Sequence, residues 1–350
     1  MTWRFDPHLP TASTLPASYY CEPSVFVDEN RKLFARTWQL AGRAGQAAER
    51  GSFFTTTLAG EPVLIVRGDD GGLRALSNVC RHRAGPVARG EGTRSSFQCG
   101  YHGWTYALDG SLRTMPEMEG VECFDRLRFA LPSFRVEEWN DLLFVNLDPA
   151  APPLRDFLGD LASASFAGMR LAARKEWVVR CNWKVYVDNY LEGYHIPIVH
   201  PGLFREIDYP NYRTETRGNY SIQHAPLKRP RRIRGTGEAE YFWLFPNLML
   251  NVYPDNFSTN LIVPDGPDRT VTIFEWYFRD PQAAEAQIAE TVAFSDEIQL
   301  EDIEICEAVQ RGLRSATYAS GRYSPARENG VHHFHALYTA AMSMERRLSM

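Results

Sequence analysis

Apolar and polar positions along this chain fall into two textures. From Arg36 to Pro149 the apolar residues come in short runs, at 52–58, 62–67 and 142–147, continuous or alternating and rich in β-branched side chains. That pattern predicts strands. Asp69-Asp70-Gly71-Gly72 and Asp109-Gly110 supply hairpin turns, and Ala151-Pro152-Pro153 marks a boundary. Beyond it, 241–245, 248–253, 257–263 and 270–278 are four further strand candidates. Pro246-Asn247, Pro254-Asp255-Asn256 and 264–267 separate them, which indicates an antiparallel meander. After Pro281 the period becomes helical: Ile288, Val292, Ile298, Ile305 and Val309 make a buried stripe on a helix over 282–312. A long helix laid across an antiparallel sheet is a layered α+β domain with a cleft between the layers.

The length of 350 residues suits two domains. A formal net charge of −5 argues against nucleic-acid binding. The one basic run, 228–234, reads first as a solvated loop and second as a docking patch for an acidic partner. The apolar runs are strand-sized and too short to span a membrane. The first residues lack an apolar stretch after a basic start, so no signal peptide is expected. Cys21, Cys123, Cys181 and Cys306 lack disulfide-like spacing, which fits a reducing cytoplasm. No Gly-x-Gly-x-x-Gly follows a strand, so the chain is not expected to bind its own nicotinamide or flavin.

Two constellations carry chemistry. Cys80-Arg81-His82 is followed, sixteen residues on, by Cys99-Gly100-Tyr101-His102-Gly103-Trp104. Each loop offers one thiolate and one imidazole, the mixed set of a [2Fe–2S] centre with two cysteines on one iron and two histidines on the other. Zinc sites use the same residues but pair Cys with Cys and His with His. The second constellation is 182–200. On a regular helix Asp188, Glu192 and His195 share one face, and Pro197 is expected to end that helix and let His200 turn back toward His195. Two histidines and a carboxylate, with open positions, form the facial triad of non-haem Fe(II) oxygenases.

The two loops resemble those of Rieske proteins, departing at Gly100, where many members carry proline. With Arg36-Thr37-Trp38-Gln39-Leu40-Ala41-Gly42, the 188–195 stretch and 307–313, the resemblance extends to nearly the whole chain. It is to Rieske non-haem iron oxygenase alpha subunits, and most to the choline, glycine-betaine and carnitine monooxygenase branch. It implies an all-β Rieske domain at 36–150 and a helix-grip catalytic domain formed by 1–35 and 151–350. It implies a cluster on Cys80, His82, Cys99 and His102, and Fe(II) on His195, His200 and a carboxylate of the long helix. Matching that helix places the carboxylate at Asp302, with Asp296, Glu301 and Glu304 as competitors. Glu192 matches the carboxylate that links the two metal centres across subunits, where many ring-hydroxylating members have Asp; Asp188 is a further catalytic candidate. A homotrimer and a separate reductase or ferredoxin fed by NAD(P)H are also implied.

The expected activity is hydroxylation of an organic substrate with O2, by mono- or dioxygenation. The resemblance favours a quaternary-ammonium compound, and an aromatic or heteroaromatic substrate is the alternative. Aromatic residues on the strands suit a cationic group, with Trp243, Asn251, Tyr253 and Phe257 as pocket candidates and Phe245 and Trp276 nearby. The rival from another class is a pure electron carrier whose second half only binds a partner.

Overall fold

The computed structural model describes residues 3–228, 233, 237–279 and 285–343. The basic run at 228–234 lies almost wholly outside them, as does the start of the expected long helix. The chain divides into two compact units, Phe34–Phe157 and a second made of Met1–Leu33 with Leu158–Met350.

The first unit is all β. Seven strands pair in the order Gln39–Arg43, Leu142–Asn146, Ser133–Trp139, Leu73–Ser77, Glu61–Arg67, Ser52–Leu58 and Glu91–Thr93. Val63, Leu64, Ile65 and Val66 are all buried; a run apolar on both faces fits a strand covered on both sides. A small sheet of Phe97–Gln98, Thr105–Tyr106 and Leu112–Thr114 holds the second cysteine loop between its first two strands.

The second unit is a seven-stranded antiparallel sheet crossed by helices. Its order is Arg170–Val179, Arg269–Phe278, Asn256–Gly266, Leu248–Val252, Glu238–Leu244, Tyr220–Pro226 and Arg213–Arg217. The four expected central strands are present. The other three were not expected: Arg170–Val179 and Arg213–Arg217 are sheet edges rich in Arg, Lys and Glu, the composition that discourages edge pairing and hides the apolar alternation. The long helix is described from Glu285 to Leu313.

A buried ion pair ties the N-terminal helix Pro23–Lys32 to this unit. Lys184 meets Glu29 at 2.5 Å with both side chains fully buried. Glu29 also accepts from Trp183 Nε1 at 2.9 Å and from the Tyr338 hydroxyl at 2.7 Å. Three donors therefore meet the Glu29 carboxylate, which is what makes its burial tolerable.

Candidate active site

The two cysteine loops have the same backbone. In the first, Cys80 N–H donates to Gly85 O and Ala84 N–H to Cys80 O; in the second, Cys99 N–H donates to Trp104 O and Gly103 N–H to Cys99 O. The equivalent residues Ala84 and Gly103 both sit at positive φ, 56° and 74°. One turn, used twice, brings the two Cys/His pairs together. The His82 and His102 rings lie 4.6 Å apart, and His82 stacks on Trp104. Both cysteines are buried and free.

These loops fit a metal cluster. The buried Nδ1 of His82 has no hydrogen-bond partner, a cost that a metal bond removes. Burial and the adjacent His102 hold His82 below the ordinary imidazole pKa, favouring the neutral form that ligates. Burial raises the Cys99 thiol, so ionisation there needs a cation. A Cβ on Gly85 would stand 3.1 Å from Cys99 Sγ, so Gly85 keeps the cradle open.

In the second unit, the helix Trp183–Tyr190 starts on Asn182, whose side chain accepts from Lys184 N–H. It ends earlier than expected. Gly193 packs so tightly that a Cβ would lie 2.6 Å from the Tyr212 ring, and the chain leaves the helix at Leu191. Pro197 therefore does not terminate this helix but sits in the first turn of a new one, Ile196–Val199, where its missing N–H costs nothing. Asp188, Glu192 and His195 consequently do not share a helical face. Asp188 turns to Tyr20 Oη at 2.5 Å and His335 Nε2 at 3.0 Å, away from the cavity. Glu192 lies in the break, accepts from the backbone N–H groups of Tyr194 and His195, and meets His195 Nδ1 at 2.6 Å.

His195, His200 and Asp302 converge, with one ligand atom from each within 4.8 Å of the others. Asp302 Oδ1 lies 3.0 Å from His200 Nε2, 3.9 Å from His195 Nε2 and 2.6 Å from Asn189 Nδ2, which donates to it. Of the competitors, Asp296 pairs with Lys175 and Glu304 is exposed. Glu301 meets His200 Nδ1 at 2.7 Å. Each histidine thus has a glutamate on Nδ1 and turns Nε2 toward Asp302, the arrangement that fixes a metal-binding tautomer. Burial alone would lower the His200 pKa; the carboxylates of Asp302 and Glu301 outweigh it and raise it. The pocket is built to stabilise positive charge, and its donor set suits Fe(II). Glu301 as an orienting group, and Asn189, were not read from the sequence: both depend on which side of His200 the long helix passes.

An open cleft lies over this centre, about 970 Å³ when its solvent-filled mouth is included, concave enough for a small molecule. Its floor is one row across the sheet: Gln223 faces Tyr241, Tyr241 faces Asn251, Asn251 faces Ser258 and Ser258 faces Trp276. Asn251 and Tyr253 are in the lining, as expected. Trp243 and Phe257 are not. Phe257 is out of phase with Ser258, so it points to the other face and stacks on Tyr277 and Phe166. Trp243 shares the cavity face but packs against Phe334, with Nε1 donating to Pro246 O.

Comparison with known proteins agrees with this architecture. Residues 37–125 match the Rieske [2Fe-2S] domain, and 166–344 match the catalytic domain of the ring hydroxylating alpha subunit. The chain belongs to the Rieske non-haem iron oxygenases, oxidoreductases that carry a Rieske cluster and a mononuclear iron, and is not a simple electron carrier. It is 36% identical to the chloroplastic choline monooxygenase of Arabidopsis thaliana, over 95% of this chain and 84% of that protein. It is 33% identical to the carnitine monooxygenase oxygenase subunit of Escherichia coli (strain K12), over 93% of each. A solved quaternary ammonium Rieske monooxygenase, described for carnitine oxidation and inter-subunit electron transfer, superposes with a TM-score of 0.87 at 29% identity, covering 96% of this chain and 97% of that one.

Proposed function

We propose that this chain is the oxygenase component of a multicomponent system that oxidises a quaternary-ammonium compound by monooxygenation. Cys80, His82, Cys99 and His102 hold the cluster, and His195, His200 and Asp302 hold the iron. When bound, the cluster delivers single electrons and the iron activates O2. The observation that carries the substrate reading is the cavity wall. Tyr190, Tyr212, Tyr241, Tyr253 and Trp276 line it, and no Lys or Arg stands among the described lining residues.

The tyrosines offer rings rather than charge. Burial pushes the phenols of Tyr190, Tyr212 and Tyr241 well up, so they stay neutral. Tyr190 Oη donates to Asn251 Oδ1 at 2.9 Å and Tyr212 Oη to Gln223 Oε1 at 2.9 Å, which engages their polar ends inside the protein. With those ends engaged, Tyr190 and Tyr212 offer a ligand chiefly π surface, the partner of a cation that carries no N–H donors. Glu192 orients His195; in a homotrimer it also accepts from a cluster histidine of the neighbouring subunit, giving electrons a path. A separate reductase or ferredoxin supplies those electrons, and the six free cysteines fit a reducing cytoplasm. Among the described residues no helix is long and apolar enough to cross a membrane.

The test is O2 uptake with a surrogate reductase on choline, glycine betaine and carnitine, against 3,3-dimethylbutan-1-ol, the neutral carbon isostere of choline. Each ring contact is worth about 0.5–2 kcal/mol. The active ammonium compound should therefore exceed its isostere by at least roughly tenfold in kcat/KM. Equal turnover of the isostere, or preference for a simple aromatic acid, would refute the reading.

A further inference from the structure

We propose that the reverse face of the catalytic sheet carries a second metal site, for a divalent cation of the zinc class, on His224, Glu238 and Glu240. Strand alternation places it there. Gln223 and Tyr241 point into the cavity, so their neighbours His224 and Glu240 point the other way, and Glu238 shares the phase of Glu240. His224 pairs in register with both Arg213 and Glu240. The three ligands therefore span two adjacent strands, and the edge strand beside them contributes Arg213 and Glu215 to the surroundings.

The acidic residues alone would make only a charged surface; His224 is the independent observation. It is 9% exposed, yet neither ring nitrogen has a hydrogen-bond partner. Its Nδ1 lies 3.4 Å from Glu238 Oε2 and 3.7 Å from Glu240 Oε1. Two ligand atoms of one tetrahedral zinc ion, each about 2.0–2.2 Å from it, stand about 3.4 Å apart. These spacings suit co-ligands of a shared ion better than hydrogen bonds. One ligand atom from each residue lies within 4.8 Å of the others.

The surroundings support the same assignment. His224 Nε2, on the other side of the ring, faces Glu215 Oε1 at 3.6 Å, beyond hydrogen-bond distance; with a metal on Nδ1, a small closing of this gap would complete a carboxylate–histidine–metal arrangement. Arg213 Nη1 donates to Glu238 Oε1 at 3.2 Å, leaving Oε2 turned toward His224. Arg217 Nη2 donates to Glu215 Oε2 at 3.0 Å, and Arg213 Nε lies 3.9 Å from Glu215 Oε1. Glu215, Glu238 and Glu240, with Asp160 at 3.5 Å from Arg217, outnumber the two guanidiniums, so negative charge is left over beside His224. Binding a cation would bridge the strands Tyr220–Pro226 and Glu238–Leu244, whose opposite faces supply Gln223 and Tyr241 to the cavity floor, bracing that wall from behind.

The experiment uses iron-loaded enzyme dialysed against Zn2+, with zinc and iron counted per chain and thermal unfolding followed. Wild type should gain about one zinc, with a rise in Tm, and keep its iron, roughly three per chain. His224→Gln and Glu240→Gln should lose the zinc and keep the iron; Glu215→Gln should bind it about 10–100-fold more weakly. Glu240 is less buried than His224, so it decides the matter if His224→Gln does not fold with full iron. Zinc uptake undiminished in both variants, zinc gained only at the expense of iron, or no uptake by wild type would each overturn the proposal.

Discussion

Replacing Glu301 separates an orienting carboxylate from a surface one. Consecutive helix residues point about 100° apart, and Glu301 and Asp302 use that angle to straddle one imidazole: Glu301 meets His200 Nδ1 at 2.7 Å and Asp302 meets Nε2 at 3.0 Å. Glu301→Gln keeps an acceptor for the Nδ1 proton but removes the charge; Glu301→Leu removes both. Losing an outer partner of a ligating histidine costs about 10–100-fold in metal affinity, or about 1.4–2.7 kcal/mol. The Gln variant should fall at the lower end of that range and the Leu variant at the upper. The assay begins with protein stripped of mononuclear iron but retaining its coloured cluster, titrated with Fe(II) against a ferrous chelator. Intact cluster absorbance shows that the first unit has kept its structure. If Glu301→Leu binds iron as tightly as wild type while Asp302→Ala binds none, Glu301 does not orient His200 and the argument fails.

Three further outcomes are expected. Lys184→Met should destabilise the fold by about 3–5 kcal/mol in urea unfolding, because Glu29 is left charged and buried, and adding Glu29→Gln should restore much of the loss. Burial lowers the His333 pKa, so below about pH 6.5 the unfolded chain takes up this proton more readily than the folded one. Stability should therefore fall as pH drops through that point, and His333→Gln should flatten that part of the Tm–pH curve. Glu192→Gln should retain both metals yet slow stopped-flow reoxidation of the reduced cluster in the presence of O2 and substrate, because an amide offers one acceptor oxygen and an unwanted donor where the carboxylate accepts from both sides. Wild-type reoxidation would remove Glu192 from the electron path.

The parts of this protein that are local in the chain were legible in its sequence. The paired Cys/His loops are two copies of one turn, and their ligands lie within three residues of each other. The central strands carry their own apolar pattern. Asp302 was not legible in this way: nothing local sets it apart from Asp296, Glu301 or Glu304, and only the family resemblance selected it. The reason is geometric, since its partners His200 and Asn189 lie 102 and 113 residues away in the chain and their meeting depends on where one helix crosses one sheet. The edge strands were missed because their charged residues mask the alternation.

The error at 188–195 has a more specific cause. A helical reading gives Asp188, Glu192 and His195 one face, and the chemistry of a shared face looked persuasive. Yet two histidines five residues apart cannot converge on a regular helix, so the same reading required a break and placed it at Pro197. The observed break comes earlier, around Gly193, because the Tyr212 ring occupies the space a side chain would need. Moving the break frees Glu192 from the helix, lets it cap the turn and brings it onto His195 Nδ1, while Asp188 stays helical and joins Tyr20 and His335. A glycine packed against a ring therefore decides which of two carboxylates reaches His195. Gly193→Ala should consequently displace His195 itself and, unlike Glu192→Gln, lower iron affinity, although residue 193 offers no donor atom of its own.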